Sequence, residues 1–312
     1  MSSSPEAPPS EEAPVDTTPI KAVPVRHYGR WVAGAIILFL AFIVGRSVIT
    51  NSALQWPVVG DYLFDDRILH GLQNTLILTV ISMLMGIVGG IILAVMRLSP
   101  NPLMSGAAAL YIWLFRGTPL ITQLVIWNFF GLAYSRIGLG IPFGPTFVSW
   151  ETNTLITVFI ASLLGLGLNE AAYMAEIVRG GIQSVDAGQL EAASALGMSR
   201  TKTLRRIILP QAMRVIIPPT GNETISMLKT TSLVVAIGYT ELMVTAQTIY
   251  SQNYKTVPLL IVAASWYLFM TSILTVIQYY IEKYFSRGVS REVTRRAGWR
   301  NRVFARGGGN VT

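Results

Sequence analysis

The sequence predicts an all-α membrane protein that crosses a bilayer about six times. Hydrophobic residues make up 52% of the 312 residues and charged residues only 13%, and the mean hydropathy is +0.51. Ordinary soluble proteins of this length are less apolar. Long stretches carry few charges, and Lys and Arg gather in alternate segments between them. These observations favour a chain that is threaded repeatedly through a membrane.

Each apolar stretch approaches the ~20 residues that a helix needs to cross ~30 Å of hydrocarbon. Arg116 interrupts the third stretch. The fifth contains Pro210, Pro218, Pro219 and Gly221, which predict a broken helix with free backbone polar groups at membrane depth. The predicted spans are residues 31–54, 68–96, 103–133, 155–177, 208–245 and 256–281.

The distribution of basic residues predicts the orientation of these spans. Lys and Arg are frequent before the first span, between the fourth and fifth, and after the sixth, whereas the connections on the opposite side carry few. The positive-inside rule therefore places both termini in the cytoplasm. The net charge of +8 then reflects membrane topology, and no nucleic-acid partner is predicted.

The chain ends differ in composition from the spans. Residues 1–30 are rich in Pro, Ser, Glu and Ala and carry too few large apolar groups to fold, which predicts a disordered cytoplasmic tail. Residues 31–54 are predicted to be a retained anchor, not a signal sequence, because no convincing cleavage site follows them. Residues 286–312 are predicted to form a basic cytoplasmic tail.

Several kinds of site are excluded by composition. The chain has no cysteine, so it has no disulfide, no thiolate metal site and no cysteine nucleophile. His27 and His70 lie far apart in the sequence and lack companions at ligand spacing, so no metal site is predicted.

A polar segment between the fourth and fifth spans has the signals of two short helices. Asp186 can cap a helix that begins at Ala187, and Gln189 can reach back to it. Gly197 then ends this helix. Ser199 or Thr201 offers a second cap, and the next span is expected to begin near the Leu-Pro pair that follows.

The spacing within this segment resembles the EAA loop of the membrane subunits of ABC importers. The sequence reads Glu-Ala-Ala, three residues, Gly, nine residues and Ile-x-Leu-Pro. A plain linker between spans would need no such fixed spacing. The resemblance implies that the loop, about residues 186–210, docks on an ATPase through Glu191, Ala192, Ala193, Gly197, Leu209 and Pro210.

Further motifs in the same order widen the resemblance to the polar amino-acid permeases of ABC importers, the group with histidine, glutamine and arginine permeases. It implies a type I importer permease fold over residues 68–285, with a cytoplasmic coupling helix. Span one and the basic tail are then additions to a five-span core. The matching residues are 116–119, 172–182, 210–212, 218–219, 221–223 and 229–233.

The resemblance also implies partners. The chain has no Gly-x-x-x-x-Gly-Lys-Ser/Thr stretch to cradle phosphates, so it is not itself an ATPase and binds no cofactor. ATP and Mg²⁺ are expected on a separate ATPase dimer. A second permease chain, identical or related, and an extracytoplasmic solute-binding protein complete the expected importer, which moves an amino acid, expected to be polar, across the bacterial cytoplasmic membrane.

Charges inside the spans suggest a solute site. Arg116 lies ~20 Å along a helix that starts at Leu103, and a lone guanidinium at that depth must face protein or water. Glu223 and Lys229 are the other candidates. We expect Arg116, or the amides of Gly117 and Thr118, to hold the substrate carboxylate.

On the opposite side of the substrate, we expect Asn222 and Glu223 near its ammonium group, with Thr231 and Ser232 lining the path. The competing interpretation is an internal ion pair between Arg116 and Glu223 that fixes helix packing.

Two other functions remain open at this point. A secondary transporter driven by an ion gradient would also use broken helices, but it would have no need for the coupling segment. A membrane anchor or sensor would not need buried charges. Gly86-x-x-x-Gly90 predicts close helix packing, within the chain or against a partner, and Glu176 and Arg179 predict a local ion pair.

Overall fold

The computed structural model describes residues 28–141 and 146–285, which divide after Ser52 into two units. The first unit is helix α1 (Tyr28–Thr50), in which no residue is buried. Its sequence is apolar on all sides, which suits a helix surrounded by lipid. The predicted tails, 1–30 and 286–312, lie outside the described residues except for 28–30, where α1 begins.

The second unit is mostly helical and carries one two-stranded hairpin. A π turn, Leu204–Ile208, joins α10 to α11, and a 3₁₀ turn, Thr231–Ile237, follows α11. The elements in chain order are α2 (Trp56–Leu63), α3 (Asp66–Arg97), α4 (Pro102–Gly117), α5 (Leu120–Asn128), α6 (Phe130–Ala133), β1 (Arg136–Gly140), β2 (Thr146–Glu151), α7 (Thr152–Leu155), α8 (Val158–Gln183), α9 (Ala187–Ala195), α10 (Arg200–Thr203), α11 (Leu209–Thr230), α12 (Leu242–Asn253) and α13 (Thr256–Phe285).

The helices agree with the predicted spans. In the described part of the chain, α1, α3, α8 and α13 are each long and apolar enough to cross a membrane. Two further helix pairs are apolar enough together but are bent: α4 and α5 meet at 101°, and the helical run from Arg200 to Ile237 meets α12 at 47°. If each bent pair is one span, the total reaches the predicted 6. The antiparallel β1–β2 hairpin was not predicted.

The sharp bend between α4 and α5 arises at Thr118. A residue before proline is pushed out of the helical region, and Thr118 is extended, with φ −111° and ψ 144°. The Gln123 side chain donates hydrogen bonds to the carbonyl oxygens of Phe115 at 2.9 Å and Thr118 at 3.2 Å. Arg116 therefore lies at the end of a helix and not in the middle of one.

The predicted break around Pro218, Pro219 and Gly221 is wrong, because α11 continues through all of these residues. The side-chain amide of Gln278 on α13 donates to the Pro218 carbonyl at 3.0 Å. A Cβ on Gly221 would collide with the same amide, so this glycine serves close helix packing. The helix ends instead at the 3₁₀ turn, followed by Gly238 in the left-handed conformation, φ +75°.

The buried carboxylate of Glu241 joins three helices at this second break. Glu241 is 0% exposed, and its Oε1 accepts the Val244 backbone N–H at 2.9 Å, which caps α12. Its Oε2 accepts hydrogen bonds from Tyr267 of α13 at 2.7 Å and Thr75 of α3 at 3.2 Å. The Thr75 hydroxyl also accepts the Leu242 backbone N–H at 3.1 Å. The backbone N–H groups at the start of α12 are thus satisfied by side chains of the protein itself.

Helices α3 and α8 pack closely at the centre of the second unit. A Cβ added to Gly86 would lie 2.8 Å from the Cβ of Glu170, and one added to Gly90 would lie 2.9 Å from the backbone nitrogen of Ala175. The predicted close packing at Gly86-x-x-x-Gly90 is confirmed, and it is used within the chain.

This contact yields a stability prediction. Gly90→Ala should destabilise the purified chain by ~1–3 kcal/mol, because the added methyl group overpacks the interface. Gly106→Ala on α4 is the control, because nothing lies within 4 Å of its new Cβ. Thermal unfolding in detergent measures both variants, and equal melting temperatures would contradict the packing argument.

Candidate functional site

A cavity of about 330 Å³ lies between α8 and α11. Its wall combines apolar side chains with two carboxylates, an amide, a phenol and two hydroxyl groups, and no Lys or Arg lines it. The lining residues are Leu120, Leu166, Asn169, Glu170, Tyr173, Glu223, Ser226, Met227, Thr230 and Leu233.

Glu170 is the lining residue that stands out physically. It is 5% exposed, and its Oε1 has no hydrogen-bond partner among the described residues. Buried carboxylates normally have partners, because an unpaired buried charge is costly. Glu223 faces the same space from α11. Two carboxyl groups that face one cavity supply the acceptor oxygens that a cationic group needs.

Glu170 is not among the solute-binding residues predicted from the sequence. The available signal was a carboxylate inside the apolar run 155–177, of the kind that usually marks function in a span. What the sequence could not show is that Glu170 and Glu223, which lie on different helices, line the same cavity.

Arg116 lies beside this cavity. Its guanidinium carbon is 5.0 Å from the centroid of the Tyr173 ring, a cation–π contact. Within the described residues, ion pairs form at Arg67–Asp65 and Arg179–Glu176, and none joins Arg116 to Glu223. The predicted local pair of Glu176 and Arg179 is confirmed at 2.6 Å.

The other predicted binding residues are placed differently. Gly117 and Thr118 form the bend after α4, where the Thr118 hydroxyl donates to the Leu114 carbonyl at 2.8 Å. Asn222 and Lys229 are exposed on α11 and do not line the cavity.

Thr231 and Ser232 begin the 3₁₀ turn and are also absent from the cavity wall. Their hydroxyls donate to the carbonyls of Leu228 and Lys229 at 2.7 and 2.6 Å. The hydroxyl groups that do line the cavity belong to nearby Ser226 and Thr230.

A polar network connects the cavity wall to the bend between α4 and α5. The Asn169 side chain donates to the Phe115 carbonyl at 2.9 Å and to the Gln123 Oε1 at 3.2 Å. Gln123 in turn donates to the Thr118 hydroxyl at 2.7 Å. The side-chain amides of Asn169 and Gln123 therefore bind the backbone of the bend, and these hydrogen bonds fix the position of this part of the cavity wall.

The predicted coupling segment forms helix α9, which ends in a regular turn at Gly197. The Asp186 side chain accepts the Gly188 N–H at 2.7 Å and caps α9. Gly197 has φ +69°. The N–H of Gly197 donates to the Ser194 carbonyl at 2.9 Å, and that of Met198 to the Ala193 carbonyl at 3.0 Å. This is a Schellman motif, which favours glycine at the left-handed position.

The surface of this segment exposes both apolar and charged groups. Leu196 is 81% exposed, and Glu191 and Ala192 are also exposed, whereas Ala193 is buried. The Glu191 side chain forms no hydrogen bond or ion pair within the described ranges. The Leu196 and Glu191 side chains are therefore both accessible to a partner protein.

Leu209 and Pro210 begin α11 after α10 and the π turn, so the second half of the predicted motif lies at the start of a span. No group of His, Cys, Asp and Glu among the described residues could hold a metal ion.

Comparison with known proteins identifies the family. Residues 86–287 match the family described as binding-protein-dependent transport system inner membrane component. The arginine transport system permease protein ArgU of Corynebacterium glutamicum is 54% identical over 89% of this chain and 87% of its own length. The nopaline transport system permease protein NocM of Agrobacterium fabrum is 38% identical over 67% of this chain and 83% of its own length.

A solved structure described as an amino acid ABC transporter with histidines superimposes with a TM-score of 0.60 and 34% identity, over 70% of this chain and 94% of that one. The family match, residues 86–287, covers the helices that form the cavity and the coupling segment. The chain therefore belongs to the binding-protein-dependent transport system inner membrane components and is a permease of the amino-acid ABC transporters.

Proposed function

We propose that this permease carries a cationic amino acid, with arginine as the first candidate, into the cell. The observation that carries the proposal is the acidic cavity, in which buried Glu170 keeps an oxygen without a partner opposite Glu223. A guanidinium or ammonium group supplies the donors that such oxygens need. The relative from C. glutamicum, described as an arginine permease, supports the same substrate class.

The cavity also suggests how the substrate is oriented. An amino acid has a carboxylate as well as its cationic groups, and Arg116 next to Tyr173 is the nearby cation that can pair with it. The α-ammonium or the side-chain cation then faces Glu170 and Glu223. This arrangement keeps the proposed contact of Arg116 with the substrate carboxylate and adds Glu170 to the site.

The energy for import comes, in this proposal, from a separate ATPase dimer that holds ATP and Mg²⁺. Concentrating a solute ~10,000-fold requires ~5.5 kcal/mol, and for a singly charged cation a membrane potential of ~100 mV supplies only ~2.3 kcal/mol of it, so the remainder comes from ATP. The exposed α9 surface with Glu191 and Leu196 docks on the ATPase, and closure of the ATPase dimer moves the permease between two packings.

A second permease chain completes the pathway, and an extracytoplasmic binding protein delivers the substrate. Both termini and α9 face the cytoplasm. Family membership favours this ATP-driven importer over a secondary transporter.

Reconstitution of the complete transporter in liposomes tests the proposed function. Uptake of labelled arginine should require ATP inside the vesicles together with the binding protein outside. Uptake that follows an ion gradient without ATP would contradict the proposal and favour the secondary transporter.

Removing either carboxylate should weaken transport. We expect Glu170→Gln and Glu223→Gln to raise the arginine concentration for half-maximal uptake by ~10- to 100-fold, because hydrogen bonds to charged groups contribute ~1.5–3 kcal/mol. Glu151→Gln, a neutralised carboxylate in the exposed strand β2, is the control. Unchanged uptake by both cavity variants would exclude this cavity as the arginine site.

Arg116→Gln tests the proposed contact of Arg116 with the substrate carboxylate. If Arg116 holds the substrate carboxylate, the variant should fold normally and bind arginine at least ~10-fold more weakly. A folded variant with unchanged apparent affinity would remove Arg116 from the site.

The stop after α9 gives a prediction about coupling. Gly197→Val forces a branched side chain into the left-handed conformation, at a cost of at least ~1–2 kcal/mol, and should reduce substrate-stimulated ATP hydrolysis severalfold. Gly197→Asn should retain most of the coupling, because asparagine tolerates this conformation. Gly180→Ala, which meets nothing within 4 Å, is the packing control. Equal coupling in the Val and Asn variants would contradict the role of this turn.

A further inference from the structure

An open groove of about 530 Å³ lies where the start of α11 meets the end of α13. It is separate from the acidic cavity and shares no lining residue with it. Its wall consists mainly of carbon, with one guanidinium and one phenol as the polar side-chain groups. The lining residues are Leu209, Pro210, Met213, Arg214, Tyr284 and Phe285.

Arg214 gives this apolar groove a positive charge. The residue is exposed, and no hydrogen bond or ion pair involves its side chain among the described residues. A guanidinium presents several donors in a planar fork that matches the geometry of a phosphate group. The groove therefore combines an apolar floor with an unpaired guanidinium that can donate hydrogen bonds to a phosphate group.

Neighbouring residues strengthen the positive field. Arg205 and Arg206 are exposed in the π turn just before the groove, and Lys283 is exposed on α13. Glu282, the acidic residue next to Lys283, accepts a hydrogen bond from the Gln278 side chain at 2.7 Å. The cations around the groove thus outnumber the acidic groups near it.

The groove also lies at the level where lipid headgroups are expected. It is formed by the ends of two helices that are candidate membrane spans, beside the segment that leads from α9. Tyr284 is 64% exposed, and tyrosine is enriched at the boundary between membrane and water. Basic pockets between spans at this level are suited to anionic lipid headgroups.

We propose that this groove binds an anionic phospholipid. The lipid phosphate pairs with Arg214, and an acyl chain lies against Leu209, Met213 and Phe285. Arg205, Arg206 and Lys283 add long-range attraction. Because Leu209 and Pro210 belong to the predicted coupling motif, the bound lipid contacts the helix through which α9 connects to the spans.

Charge complementarity favours this occupant over the chain's own C-terminal segment. The residues that follow Phe285 include Arg287, Arg291 and Arg295. A basic segment is repelled by the same Arg214 that attracts a phosphate.

Native mass spectrometry of the delipidated full-length chain tests the proposal. Phosphatidylglycerol and phosphatidylcholine are titrated separately. Wild type should bind phosphatidylglycerol more tightly than phosphatidylcholine by roughly fivefold to tenfold, and Arg214→Gln should remove this preference. Arg136→Gln, which neutralises an exposed arginine in strand β1, should keep it.

A second variant tests the groove without removing its charge. Met213→Trp fills the floor and should weaken binding of phosphatidylglycerol even though Arg214 remains, so the test does not depend on the folding of Arg214→Gln. Equal binding of the two lipids by wild type, or full retention of the preference in either groove variant, would overturn the proposal.

Two further outcomes would identify another occupant. Displacement of phosphatidylglycerol by millimolar inorganic phosphate would show a site for free phosphate and overturn the lipid proposal. A dimer of the chain that excludes the lipid and dissociates in Met213→Trp would assign the groove to a second copy.

Discussion

Hydrocarbon offers no hydrogen-bond partner, so every break in a membrane span must be satisfied by groups of the protein itself. The two bent helix pairs follow this constraint in the same way. At the first bend, Gln123 binds the carbonyl groups that α4 leaves free. At the second, Glu241 and Thr75 bind the first amides of α12, and Tyr267 donates to Glu241. The positions of the bends, and hence the shape of the cavity, depend on these side chains.

The polar side chains at the bends are hydrogen-bonded within the protein, whereas one oxygen of Glu170 has no partner among the described residues. This unpaired oxygen identifies the candidate substrate site. Glu170 lies on α8, which packs on α3 through glycine contacts and whose other end leads into α9 after a short turn. The wall of the acidic cavity and the proposed ATPase contact are thus connected by a single helix. A displacement of α9 has a direct mechanical route to the residues that face the substrate, without a flexible linker between them.

The sequence was sufficient for features set by local or periodic signals. The length of the apolar stretches located the spans. The end of α9 at Gly197 and the close helix contact at Gly86 were predicted from residues that are near each other in the sequence. The continuity of α11 through Pro218 and Pro219 was missed because it depends on packing against α13, where Gln278, about 60 residues away, donates to the Pro218 carbonyl. Glu170 was missed as a site residue for a similar reason, since its significance depends on Glu223, which belongs to another helix.

The central claim is that the acidic cavity between α8 and α11 is the place where the substrate cation is held. A structure of the complete transporter, determined with arginine bound in the membrane domain, tests it most directly. The account predicts density for a guanidinium or ammonium group within hydrogen-bond distance of Glu170 and Glu223. Arginine bound elsewhere in the permease, with no contact to either carboxylate, would contradict it.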